Sequence, residues 1–161
     1  MKPNLIIIAA ISKNNIIGRG DKIPWDIPED LKRFKTLTLH HPVIMGRRTY
    51  ESVLERLGKP LSERKNIVLT RRNLSYEGIY VVHSVGETLK MCEGENSYVA
   101  GGGEIYKLFL PLANKMEITR IHKQVFGDVF FPEVDWTKWE EIKREFKGEY
   151  SFLTYIRRGY T

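Results

Sequence analysis

The sequence predicts a single α/β domain with a central, mixed but mostly parallel eight-stranded sheet, an antiparallel C-terminal edge and about four flanking helices. Its 161 residues are 42% hydrophobic and 29% charged, which is the size and composition of one ordinary globular domain. This single domain is expected to span residues 1–161. Up to residue 110, short apolar runs alternate with helical patterns, as in parallel sheets. After residue 114, strand-like runs follow one another without helices, so the last strands should pair antiparallel.

The first element is an Ile-rich run, residues 5–11, bounded by the turn residues 12–15. Continuous apolar character is typical of a strand buried on both faces, so this run is expected to be central in the sheet. A signal peptide is not expected, because the run is short and no small-residue cleavage pattern follows it.

The remaining elements follow from the same patterns. Pro42 suits a strand start, where a missing N–H is tolerated, and Pro28 suits the first position of a helix. Further strands are predicted at 41–46, 66–70, 79–82, 97–100, 115–124, 139–146 and 152–158, and helices at 28–39, 49–57, 85–92 and 102–110.

Ligands of such sheets bind outside the carboxyl ends of the parallel strands. The candidate binding loops are therefore those that follow Ile11, Gly46, Thr70 and Ala100.

The charge is unevenly distributed, with 26 Lys and Arg against 20 Asp and Glu overall; residues 1–80 have a net charge of +7 and residues 81–161 of −1. A basic region favours nucleic acid, an anionic membrane, or a phosphorylated or carboxylated small molecule. A solvated surface explains such an excess equally well, and composition alone leaves these alternatives open.

Two polar or aromatic residues near the first helix are candidates for chemistry. Trp25 lies between Pro24 and Asp26, where a core-covering tryptophan is the structural alternative. Asp30 is in the first helical turn, where a carboxylate complements the helix dipole. It also borders an apolar stripe, so it should have a raised pKa and could bind a planar cationic or amidine-like ligand.

Two strand ends carry hydroxyl and arginine groups: Gly46 to Thr49, and Thr70 to Arg72. Backbone N–H groups at a helix start, hydroxyls and guanidinium groups suit phosphate, so a ligand with two separated phosphates is indicated. The glycine run 101–103 at a third strand end is a weak signal, since a tight turn explains it as well. It matches neither the dinucleotide-binding fingerprint nor the P-loop.

Other chemistries are poorly supported. The four histidines and Cys92 lack zinc-ligand spacing, so no metal is expected, and no Gly-x-Ser-x-Gly motif is present. One cysteine fits a reducing cytoplasm, and no apolar run approaches the ~20 residues of a membrane helix.

Taken together, these segments resemble dihydrofolate reductase of the bacterial chromosomal type. The resemblance covers most of the chain in the family's order and includes Pro-Trp with the helix acid, Gly-Arg-x-Thr, Arg-Lys-Asn before a strand, Gly-Gly-Gly and Gly-Asp-x-x-Phe-Pro. The matching stretches are LIIIAAIS (5–12), IIGRGDKIPWDIPEDLKRFK (16–35), HPVIMGRRTYES (41–52), GKPLSERKNIVLTRR (58–72), YVAGGGEIYKLFLP (98–111) and ITRIHKQVFGDVFFP (118–132).

The resemblance implies NADPH-dependent reduction of 7,8-dihydrofolate by hydride transfer to the pterin C=N bond, with the ring nitrogen protonated through water. It implies catalytic roles for Asp30, for Thr119 linked to it, and for Trp25, which would order a water. The 18–23 loop would admit that water. The implied substrate-binding residues are Ile8, Ala9, Asp30, Leu31, Phe34, Val53, Leu61, Arg64 (for the glutamate α-carboxylate), Ala100 and Thr119.

The implied cofactor-binding residues divide between the phosphates and the nicotinamide side of NADPH. They are Ala10, Ile17, Gly46, Arg47, Arg48, Thr49, Leu69, Thr70, Arg71, Arg72, Gly101, Gly102, Gly103, Glu104, Ile105 and Tyr106. A cis peptide between Gly101 and Gly102 is also implied.

The resemblance further implies binding of antifolate inhibitors, no nucleic-acid or membrane partner, a cytoplasmic location and a monomer. Two alternatives are kept: a reductase of the same fold acting on another pterin or pyrimidine, and a basic nucleic-acid-binding module. The second predicts affinity that falls steeply with salt.

Overall fold

Ten strands and four α-helices make up the described part of the chain, residues 3–20 and 22–159 of a computed structural model. Asp21 of the 18–23 loop and the two ends of the predicted 1–161 domain lie outside the described residues. The strands are β1 Asn4–Ile11, β2 Ile16–Gly18, β3 Val43–Gly46, β4 Asn66–Leu69, β5 Tyr80–Val82, β6 Asn96–Val99, β7 Lys115–Ile121, β8 Val129–Phe130, β9 Trp139–Phe146 and β10 Tyr150–Arg157. The helices are α1 Pro28–Thr38, α2 Arg47–Leu57, α3 Val85–Met91 and α4 Gly103–Phe109.

Eight strands form one sheet in the order β5-β4-β3-β6-β1-β7-β10-β9. The strands from β5 to β7 are parallel to their neighbours, and β10 pairs antiparallel with both β7 and β9. The α/β fold predicted from the sequence is confirmed, with β1 in a central position and the antiparallel pairing at the C-terminal edge. β7 belongs to both halves, because it pairs parallel with β1 on its other side.

Helices cover both faces of this sheet because its strands are apolar on both sides. Along β1, Ile7 packs into a cluster with Ile105 and Phe109 of α4. Its neighbours Ile6 and Ile8 face the other way, toward Phe34 of α1. The parallel strands therefore end together between two helical layers, which leaves a cleft at their carboxyl ends.

A second, two-stranded sheet of β2 and β8 was not predicted. Ile16–Gly18 has only three residues and ends in glycine, so its sequence resembles a loop, and its partner lies more than a hundred residues away. Gly127 explains the close approach, since a Cβ there would lie 2.4 Å from Ile16 Cγ2 and 2.5 Å from the Gly18 oxygen.

Several predicted boundaries differ by one to three residues. The strand predicted to end at residue 124 stops at Ile121, because the chain beyond it is bound by the turn after β1. Lys13 N–H donates to the Lys123 oxygen at 3.0 Å, and Asn14 Nδ2 donates to the Val125 oxygen at 3.0 Å. Helix α2 begins at Arg47, two residues earlier than predicted, directly after the strand.

Candidate active site

A cleft of about 1660 Å³ lies at the carboxyl ends of the parallel strands. This exceeds the roughly 300–1,000 Å³ of a site for one drug-sized ligand, so the cleft has room for two molecules side by side. The predicted site residues that line it are Ala10, Ile17, Trp25, Asp30, Leu31, Gly46, Arg47, Arg48, Thr49, Val53, Leu69, Thr70, Arg71, Arg72, Ala100, Gly102, Gly103, Glu104, Ile105 and Tyr106.

The acidic centre of the cleft is Asp30, in the first turn of α1. The start of α1 carries proline, and its first turn lies at the positive end of the helix dipole, which makes this a favourable place for a carboxylate. The Thr119 hydroxyl donates to Asp30 Oδ1 at 2.5 Å, which fixes the carboxyl group. Burial raises the pKa of Asp30, and the Thr119 hydrogen bond and the Arg33 charge oppose that rise. The result is a half-buried acid with one oxygen held and one free for a ligand.

Apolar side chains line the same cleft as this acid. Leu31, 46% exposed, lies one residue along α1, and Val53 of α2 and Ala100 line the same cleft. Phe34 does not line the cleft itself but packs behind Ala100 in two apolar clusters. A flat ring system could therefore be held between apolar side chains while its polar edge meets Asp30.

The glycine run forms the floor between the two parts of the cleft. Gly101 and Gly102 are joined by a cis peptide, as the resemblance implied. The Gly101 oxygen accepts from Gly46 N–H at 2.8 Å, which joins the ends of β6 and β3. Beneath it, the Tyr106 hydroxyl donates to the Ile8 oxygen at 2.8 Å, and full burial raises the pKa of Tyr106. This side chain acts as an uncharged support.

The basic end of the cleft gathers the loops after β3 and β4. Helix α2 begins at Arg47, and the preceding Gly46 provides no side-chain cap, so the first N–H groups of the helix are free to bind an anion. Arg48, Arg71 and Arg72 are exposed there. Arg47 is different, because its Nη1 lies 2.9 Å from Glu51 Oε1 on the same helix. The charge available to a phosphate therefore comes mainly from the helix terminus and the three exposed arginines.

His83 is a cleft residue that sequence reasoning missed. It follows β5 directly, and its Nδ1 lies 2.9 Å from the Thr70 oxygen. The sequence contained a signal for His83, because β5 is a parallel strand and ligands bind at the carboxyl ends of such strands. Because β5 is parallel to β4 and ends at Val82, the loop after it belongs with the loops that follow Ile11, Gly46, Thr70 and Ala100.

The opposite wall is built from the β2–β8 sheet and its loops. Gly20 N–H donates to Asp128 Oδ1 at 2.7 Å, and Asp128 N–H donates to the Gly18 oxygen at 3.2 Å. These bonds tie the 18–23 loop to the Gly-Asp-x-x-Phe-Pro segment. Lys22, Ile23 and Phe130 line the cleft from this wall, although none was among the predicted site residues.

Arg64 and several other predicted residues do not line the cleft. Arg64 Nη1 donates to Thr38 Oγ1 at 3.1 Å, at the far end of the helix that begins near Asp30. Eight residues of helix separate Asp30 from Thr38, a distance of about 12 Å. Three apolar residues lie behind the cleft: Ala9 in the core on the α4 face, Leu61 against Val53, and Ile8 beside Phe34. Thr119 and Gly101 contact cleft residues through the hydrogen bonds given above.

No helix in residues 3–20 and 22–159 is long and apolar enough to span a membrane. Within the same ranges, no three His, Cys, Asp or Glu side chains come together as metal ligands would.

Comparisons with known proteins agree on one family. The family model described as dihydrofolate reductase matches residues 4–157. Among similar proteins, dihydrofolate reductase HdrB of Haloferax volcanii is 42% identical over 161 residues, covering 95% of this chain and 83% of that protein. Dihydrofolate reductase of Neisseria gonorrhoeae is 42% identical over 160 residues, covering 94% of this chain and 97% of that protein.

The fold has the same relatives. A solved structure of dihydrofolate reductase from Enterococcus faecalis complexed with NADP(H) and RAB-propyl matches with a TM-score of 0.87 and 32% identity. The match covers 98% of this chain and 99% of that one.

Proposed function

The chain belongs to the dihydrofolate reductase family, and from this premise we infer how its cleft divides between a substrate and a cofactor. The protein is an NADPH-dependent oxidoreductase that reduces 7,8-dihydrofolate to 5,6,7,8-tetrahydrofolate. One observation supports this division of the cleft. A half-buried acid, Asp30, lies among apolar residues at one end, and the other end is basic.

Asp30 binds the pterin in this proposal. Its free oxygen accepts hydrogen bonds from the amidine-like edge of the ring, while Thr119 holds the other oxygen. Leu31, Val53 and Ala100 then contact the ring faces. Arg64 follows α2 in the chain and is bonded to Thr38 at the C-terminal end of α1. There it binds the α-carboxylate of the substrate's glutamate. An elongated substrate that lies along α1 would make both contacts, with its pterin ring at Asp30 and its glutamate carboxylate at Arg64.

The glycine run and the basic loops fit NADPH. Gly102 lines the cleft, and among the described residues only Thr49 Oγ1, at 3.6 Å, lies within 4 Å of the position its Cβ would take, so a ligand can approach the backbone there closely. The start of α2 and Arg48 would bind one phosphate group, and Thr70, Arg71 and Arg72 the other. Ala10, Ile17 and Tyr106 would lie at the nicotinamide end. Glu104 lines the cleft near these groups, so the arginines carry the anion binding.

The chemistry depends on what each component supplies. NADPH, when bound, supplies the hydride that reduces the pterin C=N bond. The chain's own residues orient the two rings, exclude bulk water and deliver a proton to the ring nitrogen. Asp30 polarises the pterin from the edge it binds, and a water ordered by Trp25 and admitted by the 18–23 loop delivers the proton.

The first test is turnover. We expect absorbance of NADPH to fall when the purified protein is mixed with dihydrofolate, and not when either is left out. No dihydrofolate-dependent oxidation would refute the proposed function. Oxidation with another pterin but not with dihydrofolate would favour the alternative reductase.

Substitution of Arg64 tests the proposed division of the cleft. Arg64→Leu should raise the KM for dihydrofolate by about 10–100-fold, because a charge-assisted contact of about 1.5–3 kcal/mol is lost. NADPH affinity should stay unchanged, since Arg64 is bonded to Thr38 at the end of α1 and is not part of the basic loops after β3 and β4. Arg144→Leu, on the exposed strand β9, is the matched control. Equal losses for substrate and cofactor would contradict the assignment.

We also propose that the protein acts in the cytoplasm as a monomer. The buried thiol of Cys92, the single cysteine of the sequence, supports a reducing compartment. The described residues supply both the acid and the basic loops of the cleft, so the proposed site needs no residue from a second copy. Light scattering during size-exclusion chromatography should give one chain per particle, close to 18.8 kDa.

A further inference from the structure

A second polar contact joins α1 to β7 one helical turn after Asp30. Arg33 Nη2 lies 3.0 Å from Glu117 Oε2, as a hydrogen-bonded ion pair. Glu117 is only 5% exposed, and the Arg33 side chain is 20% exposed. Because the pair is largely shielded from water, loss of either charge would destabilise the other. Neither residue belongs to the pterin or cofactor contacts described above.

The two contacts form consecutive cross-links between the same two elements. Asp30 and Arg33 lie three residues apart on α1 and share one face of the helix. Thr119 and Glu117 lie two residues apart on β7, so their side chains point to the same face of the sheet. The contact from Asp30 to Thr119 therefore runs beside the contact from Arg33 to Glu117, and a shift of either element would change both.

Each charge of this pair depends on the other. Within residues 3–20 and 22–159, Glu117 Oε1 is buried without a hydrogen-bond partner, so Arg33 supplies the polar contact that Glu117 makes through its side chain. The Arg33 guanidinium also lies 4.5 Å from the centre of the Phe152 ring, which leaves it shielded from solvent. Removing one member would leave the other charge buried and uncompensated.

The charged and titratable groups around Asp30 come from several elements. Arg33 on α1, Tyr106 on α4 and Tyr150 on β10 interact with Asp30 directly. Glu117 on β7 and Tyr98 on β6 lie around Arg33, and Glu29 and Asp26 are neighbours of Asp30 along the chain. Glu29 is itself bonded to Tyr150 and paired with Lys147 at 3.4 Å. Arg33 lowers the pKa of Asp30, and Arg33 and Glu117 act in opposite directions on the pKa of Tyr98.

We propose that Arg33 and Glu117 are a positioning pair for the reductase site, which holds Thr119 against Asp30 and keeps the net charge behind that carboxyl near zero. The proposal rests on the function assigned to Asp30 above. It adds two residues that touch neither substrate nor cofactor and that act through the neighbouring cross-link.

The two single substitutions should act in opposite directions. Glu117→Gln leaves the Arg33 cation uncompensated, which favours the ionised form of Asp30 and lowers its pKa. Arg33→Gln leaves the Glu117 anion, which raises that pKa. Each shift should be about one pH unit, the size that a unit charge roughly 10 Å away gives at an effective dielectric constant of about 20. The double variant should return close to the unsubstituted protein.

The experiment is a pH titration of the ligand-free protein, followed by the NMR signal of the Asp30 carboxyl carbon, which is assigned by its loss in Asp30→Asn. Arg33→Lys keeps the charge and should keep the Asp30 pKa. Glu141→Gln and Arg144→Gln remove the same charges from an exposed pair on β9, where the two side chains are 2.8 Å apart, and should shift nothing. The pH profile of turnover should move in the same directions, because added positive charge disfavours protonation anywhere in the site.

Shifts of opposite sign, cancelled in the double variant, would support the pair. Shifts of the same sign, or a Glu117→Gln protein with an unshifted Asp30, would overturn it. The second criterion holds even if Arg33→Gln fails to fold. Because the titration needs no turnover, lack of dihydrofolate reduction counts against the proposed function alone, whereas missing shifts count against the pair alone.

Discussion

Asp30→Asn should lower turnover at neutral pH by about 100-fold or more while leaving NADPH affinity nearly unchanged. Loss of one preorganised electrostatic contact costs about 10²–10³-fold in turnover, and Asn keeps the size of the side chain but cannot carry its charge. The hydrogen bond from Thr119 survives, since the amide oxygen still accepts it. The loss therefore reports on the charge that polarises the pterin rather than on local packing.

The same substitution should stabilise the ligand-free protein at neutral pH. The pKa of Asp30 is raised in the folded state, so the native protein binds more protons than the unfolded chain between the ordinary value of 3.8 and the raised one. Stability contributed by this group is therefore present at acid pH and is lost as the pH rises through that window. Asn removes the cost of a desolvated charge, so the Tm at pH 7 should increase.

Asp135→Asn is the matched control. Asp135 is exposed and away from the cleft, and its hydrogen bonds to Thr137 lower its pKa. Its contribution to stability is present at neutral pH and is lost toward acid, so Asn should lower the Tm slightly and leave turnover unchanged. Near-normal turnover of Asp30→Asn, measured with its NADPH Kd, would refute the role given to Asp30.

Features that depend on a few neighbouring residues could be predicted from the sequence. The buried run of β1, the acid in the first turn of α1 and the glycine run after β6 are each visible within a few residues. The cis peptide at Gly101 was implied by resemblance alone. Strand boundaries were less accurate, as at β7, where contacts from Asn14 decide where the strand ends.

What the sequence did not reveal depends on pairing between distant segments. The short strands β2 and β8 have too few residues to form alone and exist because they meet each other. His83 required the knowledge that β5 is parallel to β4. The partnership of Arg33 with Glu117 required the register of α1 against β7, and neither residue is unusual in its own segment.

The basic excess of the sequence also changes meaning in the structure. Arg33 and Arg47 are bonded to glutamates, and Arg64 is bonded near the end of α1. The arginines left exposed at the cleft, Arg48, Arg71 and Arg72, lie beside the free N–H groups of α2. The net charge of +6 is therefore a poor guide to ligands, and the location of a few side chains is a good one.

Gly101→Ala should destabilise the protein by about 2–4 kcal/mol and weaken NADPH binding. Gly101 has φ +106°, a conformation that costs other residues about 1–3 kcal/mol, and its Cβ would lie 3.0 Å from Tyr106 Cε2 and 3.1 Å from the Tyr106 hydroxyl oxygen. Tyr106 is buried and bonded to the Ile8 oxygen, so it cannot move away without breaking that bond. The glycine loop would shift instead and strain the hydrogen bond from Gly46 N–H to the Gly101 oxygen.

Gly148→Ala separates the two causes of that loss. Gly148 has φ +92°, and nothing lies within 4 Å of the position its Cβ would take, so this variant carries the backbone strain without the contact. Denaturant unfolding should show a loss of about 1–2 kcal/mol for Gly148→Ala and a clearly larger one for Gly101→Ala. Only Gly101→Ala should raise the NADPH Kd. Equal losses in both variants, with normal NADPH binding, would show that Tyr106 does not hold the glycine loop in place.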